Sequence, residues 1–120
     1  MKALIADDDP DNREILVRML AHEGWNADAV SGGGAAVVRV LAGDYDAALL
    51  DLAMPGVDGF EAARRIRAGG SRIVLVAVSG AEAEERARES GFDRCLEKPY
   101  TLEDLRGVLR DIAGIAGQET

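Results

Sequence analysis

Residues 3–10 read Ala3-Leu4-Ile5-Ala6-Asp7-Asp8-Asp9-Pro10, a short apolar run that ends on three carboxylates. The same event recurs at Ala47-Ala48-Leu49-Leu50-Asp51. Apolar runs of this length, bounded by polar residues, are the mark of buried strands. A strand that stops at an acid delivers that acid to the rim of its sheet. If the two strands are parallel neighbours, all these acids share one rim. Crowded carboxylates disfavour their own ionisation. The grouping therefore calls for a cation, and for a hard one, which prefers oxygen ligands.

Outward from these runs, strand and helix patterns alternate along the chain. Strands are predicted at Lys2–Ala6, Asn26–Val30, 46–50, 73–78 and Arg94–Glu97. The first helix begins at Pro10, where a missing N–H is tolerated, carries Ile15, Leu16, Met19 and Leu20 as its apolar stripe, and ends at Gly24. After a turn of Ser31 and three glycines, Ala36, Val37, Val40 and Leu41 mark the second helix, which Gly43 closes. The third carries Phe60, Ala63 and Ile66 inward and stops at Gly69-Gly70. A fourth is predicted over 81–90, with only Ala83 and Ala87 to bury, and a last one carries Leu102, Leu105, Leu109 and Ile112.

Five βα units in a row predict an α/β fold with helices on both faces of a parallel sheet. Right-handed crossovers restrict the topology, and the flavodoxin-like, doubly wound order 2-1-3-4-5 fits best. It places the two least apolar strands, 2 and 5, at the edges. The expected domain is 1–116, followed by a frayed tail over 117–120. With aromatics at only 4%, the core has to be aliphatic. A formal net charge of −8 argues against direct contact with nucleic acid or an anionic membrane. The single cysteine, Cys95, cannot form an intrachain disulfide, which suits a reducing cytoplasm. Met1-Lys2 enters a strand at once, so no signal peptide is read, and no apolar run is long enough for a bilayer.

In that order, the tips of strands 1, 3, 4 and 5 stand side by side, where ligands bind open α/β sheets. The rim then holds Asp7, Asp8 and Asp9, Asp51, Ser79 with Gly80, and Lys98 with Pro99. Mg²⁺ takes a few carboxylates and completes its shell with waters and phosphate oxygens. A hydroxyl and an ammonium suit the other phosphoryl oxygens, and an aspartate can itself be the nucleophile. These residues read as an Mg²⁺-dependent site where one Asp takes up a phosphoryl group.

The segments Leu4-Ile5-Ala6-Asp7-Asp8-Asp9, Asp51-Leu52-Ala53-Met54-Pro55-Gly56-Val57-Asp58-Gly59, Val78-Ser79-Gly80 and Lys98-Pro99 resemble a response regulator receiver domain of two-component signalling. The resemblance covers nearly the whole chain, in order. It implies that Asp51 accepts phosphate from a histidine kinase or a histidine phosphotransfer protein. It implies that Asp7, Asp8, Asp51 and the backbone carbonyl of Ala53 hold Mg²⁺, that Ser79 and Lys98 bind phosphoryl oxygens, and that Lys98-Pro99 is cis. The output is a changed surface for a downstream protein target, with a homodimer left open. Beyond gaining and losing its own phosphoryl group, such a domain is not an enzyme.

This chain departs from the family at three places. Cys95 stands where an aromatic usually switches inward after phosphorylation. Ala53 and Ala81 flank the path of a hydrolytic water with small side chains. Asp9 adds a third acid where two are needed, and before Pro10 it is expected to cap the first helix. Asp58, with Glu61 three residues on, reads as a capping box rather than a metal ligand. His22 suits the negative end of helix 1, and Trp25 is expected to cover one end of the core. Ser79 and Lys98 taken alone would be a turn residue and a solvated lysine; their company promotes them. Helix 4, strand 5 and helix 5 are expected to form the switching face, because an alanine-faced helix is weakly held.

Two other functions compete. A haloacid-dehalogenase-like phosphohydrolase would use Asp7 as nucleophile, with Asp9, Ser79, Lys98 and Glu103-Asp104 in support. It leaves Asp51 without a task and lacks a cap domain. An unphosphorylated interaction module would not need the full set of rim residues. A stand-alone receiver, a phosphorelay intermediate and a domain of a longer protein such as a hybrid kinase all fit this sequence.

Overall fold

The computed structural model describes residues 1–80 and 83–118. Five strands and five helices alternate: β1 (Lys2–Ala6), α1 (Pro10–His22), β2 (Asn26–Val30), α2 (Gly33–Ala42), β3 (Ala47–Asp51), α3 (Gly59–Ala68), β4 (Val74–Ser79), α4 (Glu84–Glu89), β5 (Arg94–Glu97) and α5 (Leu102–Gln118). All strand pairs are parallel and the order is β2-β1-β3-β4-β5, as the alternation of patterns predicts.

Side-chain alternation along the strands divides the core in two. Leu4, Ala6, Ala48, Leu50, Leu75 and Ala77 pack with Ala36, Val40, Phe60, Ala63, Ile66 and Ala87, beneath α2, α3 and α4. Ala3, Ile5, Leu49, Val76, Val78 and Leu96 pack with Leu16, Leu20, Trp25, Leu105, Leu109 and Ile112, beneath α1 and α5. Strands buried on both faces need near-continuous apolar runs, and β1, β3 and β4 have them. β2 is only half covered, as suits an edge.

Several boundaries differ from the sequence reading. β3 and β4 each run one residue further than predicted, because the ladder continues: Asp51 lies opposite Val78, and Ser79 opposite Glu97. Asp51 and Ser79 are therefore the last residues of their strands. α2 starts at Gly33, inside the expected glycine turn. A Cβ on Gly33 would stand 2.2 Å from the Val57 carbonyl oxygen, so this helix start approaches the β3–α3 loop closely enough to need glycine. Ile15 and Leu41, expected on inward stripes, are exposed. α4 begins at Glu84, not at 81. Its N-cap is Ala83, which has no side-chain acceptor for the first amides; residues 81 and 82 of the expected helix lie outside the described residues. α5 is assigned to Gln118, and residues 119 and 120 of the expected tail lie outside the described residues.

The capping expectations separate. Asp9 accepts from the amides of Asp11 and Asn12 and caps α1. Asp58 accepts from the Glu61 amide at 2.9 Å, but Glu61 does not reach back. Its carboxylate pairs with Arg64 and Arg65, leaving half a capping box. Trp25 is buried in the α1/α5 core, as expected.

Candidate functional site

Register brings the acids together. Ala6 of β1 lies opposite Leu50 of β3, so the next residues, Asp7 and Asp51, leave the pair level with each other. Asp51 is in turn opposite Val78, one residue before Ser79. The Lys98 amide donates to the Ser79 carbonyl at 2.6 Å, which seats Lys98 just beyond the end of β5. Carboxylate oxygens of Asp7, Asp8 and Asp51 all lie within 4.8 Å of one another. Asp7 and Asp51 are buried, while Asp8 is exposed. A pocket of about 280 Å³ opens beside them, lined by Asp51, Leu52, Ala53, Phe60, Ser79, Gly80, Ala83 and Lys98.

Each group is already held. Asp51 Oδ1 accepts from the Ala53 amide at 2.9 Å, and its Oδ2 accepts from Lys98 Nζ at 3.1 Å. Lys98 is thus not the solvated lysine it would be alone. Ser79 Oγ donates to the Gly80 carbonyl at 3.1 Å. The Lys98-Pro99 bond is cis. Burial raises the Asp7 pKa; the Asp51 and Asp8 charges add to this, while the Asp9 amide and Lys98 oppose it. For Lys98, burial acts downward, but the hydrogen bond and charge of Asp51, with Asp7 behind them, raise its pKa overall. Three clustered hard oxygen donors with one ammonium fit a small divalent cation bearing an anionic oxygen ligand.

The phosphohydrolase alternative loses two of its supporting acids. Asp9 is committed to capping α1. Asp104 accepts from the Thr101 amide while Thr101 Oγ1 accepts from the Asp104 amide, so that acid caps α5. The site also contains groups that the sequence reading passed over. Arg13 Nη1 donates to the Asp7 carbonyl at 2.8 Å. Tyr100 follows the cis bond, and burial raises its pKa, with the Asp7 and Asp51 charges adding and Lys98 opposing. Arg13 lies six residues after Asp7, about one helical turn into α1, and residue order alone does not show where its side chain reaches. Cys95 is half-buried on the α4 side of β5. Burial, with the Glu84 charge beside it, raises its thiol pKa against the influence of Arg88.

The sequence profile of the response regulator receiver domain matches residues 3–110. The chain belongs to this family. The receiver domain is 35% identical to the transcriptional regulatory protein TcrA of Mycobacterium tuberculosis, covering 94% of this chain and 46% of that protein. It is 36% identical to the sensor protein EvgS of Escherichia coli, over 98% of this chain and 10% of the relative. The chain therefore spans about half of TcrA and a tenth of EvgS. Among solved structures it is similar to the receiver domain of the sensor histidine kinase PA1611 from Pseudomonas aeruginosa, with 30% identity and a TM-score of 0.86 over 94% of this chain and 97% of that one. That structure has a magnesium ion coordinated in its active site cleft. Receiver domains are phosphoacceptor signalling modules of two-component systems, and this chain is one. Among the described residues, no helix is long and apolar enough to cross a membrane.

Proposed function

We propose that Asp51 is the phosphoacceptor, taking a phosphoryl group from the phosphohistidine of a histidine kinase or a histidine phosphotransfer protein in the cytoplasm. A carboxylate oxygen of Asp51 attacks phosphorus, the P–O bond forms as the P–N bond breaks, and the imidazole leaves with a proton. The observation that supports this most is the convergence of Asp7, Asp8 and Asp51 within 4.8 Å, with Lys98 Nζ on Asp51. Mg²⁺ bound by Asp7, Asp8, Asp51 and the Ala53 carbonyl would offset the negative charge that the attacking carboxylate and the phosphoryl group bring together. Lys98 leaves Asp51 Oδ2 to hold an incoming phosphoryl oxygen, and Ser79 Oγ exchanges the Gly80 carbonyl for another. That exchange biases α4, β5 and α5, whose surface a downstream protein reads, with Cys95 in the place of a larger switching side chain. Exposed Ala53 neither blocks nor orients a hydrolytic water on its path to the acyl phosphate.

The test is incubation with acetyl phosphate and MgCl₂, followed by mass measurement. Wild type should gain about 80 Da, the mass of one phosphoryl group, and Asp51→Asn should not. A gain retained in Asp51→Asn but lost in Asp7→Asn would reverse the assignment.

A further inference from the structure

We infer that Arg13 is a positioning residue for the cation site: it holds the Asp7–Asp8 peptide in the orientation that brings both carboxylates to Asp51. The inference rests on the magnesium site proposed above. A peptide unit is planar, so the Asp7 carbonyl and the Asp8 amide turn together. The Asp7 carbonyl oxygen accepts from Arg13 Nη1 at 2.8 Å, and the plane it fixes joins the two acids. The other contacts in this loop hold different atoms. The Asp9 amide donates to Asp7 Oδ1 at 2.9 Å, the Asp7 amide donates to Val30, and Asp9 is used on the α1 amides. Arg13 is itself anchored, since its own amide donates to the Asp9 carbonyl at 3.0 Å in the first turn of α1.

The choice of acceptor is informative. Arg13 follows three successive acids by one helical turn, yet among the described residues it forms no ion pair and gives its donor to a neutral carbonyl. Its charge is therefore not used to neutralise the cluster. This makes the two roles open to Arg13 opposite in sign. A cation that acted only through its charge would repel Mg²⁺, and removing it would tighten binding. A positioning residue does the reverse.

Calorimetric titration of the chain with MgCl₂ decides, using wild type, Arg13→Met and Arg13→Lys. Arg13→Met keeps the aliphatic stem without donor or charge. It should raise the Mg²⁺ Kd by about threefold to tenfold, the scale of the net contribution of one ordinary hydrogen bond. Arg13→Lys keeps the charge and a shorter donor, and should lie between. In metal-free protein, the Asp8 and Asp9 amide resonances of Arg13→Lys should move, a reading available even if Arg13→Met folds poorly. An unchanged or tighter Kd in Arg13→Met overturns the inference, as does a lowered Tm with no change in Kd or in those resonances. Wild type that takes up no Mg²⁺ sinks the site itself, and the inference with it. Wild type that binds while Arg13→Met binds equally sinks the inference alone.

Discussion

At the residue scale, Asp7 carries the electrostatic tension of the site. Its folded pKa is raised above 3.8 by burial, then by Asp51 and Asp8. A raised carboxyl pKa means the fold prefers the protonated form. That preference is fully present below the unfolded value and is lost as pH rises through the folded one. At neutral pH, ionised Asp7 therefore costs stability in the absence of a cation. Asp7→Asn keeps an acceptor for the Asp9 amide and removes the charge. In EDTA at pH 7 it should melt above wild type, with the gap closing as pH falls toward 4, followed by circular dichroism. A variant that melts below wild type at pH 7 would mean that the charge is net favourable. The acid itself was legible in the sequence because it ends a strand, and strand ends in parallel sheets have one address. Asp51 and Lys98 were legible for the same reason. Arg13 and the Ala53 amide were not, because a long side chain's reach and a backbone N–H direction leave no trace in residue order.

At the element scale, α4 is the weakly attached piece. Of its six residues only Ala87 is buried, whereas α3 buries Gly59, Phe60, Ala62, Ala63 and Ile66. The segment after α4 is pinned. Arg67 donates to the carbonyls of Gly91, Ser71 and Ile73 and pairs with Asp93. The Arg86 guanidinium lies 3.9 Å from the Phe60 ring centroid, a contact of about 0.5–1 kcal/mol where solvent reaches it. Such a helix should open locally at low cost. Amides 84–89 are expected to exchange faster than those of α3, and to slow when beryllofluoride and Mg²⁺ are added. Exchange that stays the same with and without the additives removes the switching role of α4. The late start of this helix illustrates what composition hides. Residues 81–90 have helix-forming residues throughout, but Ala83 offers no capping oxygen, and propensity without a start signal does not fix a boundary.

At the scale of the whole molecule, topology and site are one fact. The order β2-β1-β3-β4-β5 follows from apolar patterning and handedness, and the same order puts four strand tips, with their acids, on one edge. Stability and metal binding should then be linked, because Mg²⁺ engages the assembled rim and not the unfolded chain. At a free concentration ten times the Kd, linkage adds about 1.4 kcal/mol, which in a domain of this length is about 3–6 °C in Tm. A chain of net charge −8 also gains from general screening, so the comparison has to be made against NaCl at matched ionic strength. Wild type should melt higher in MgCl₂ than in that NaCl. Asp8→Ala, which removes an exposed carboxylate and little packing, should lose the difference while melting in NaCl no lower than wild type. Equal melting in the two salts would mean that the carboxylates, however close, do not act together on one ion.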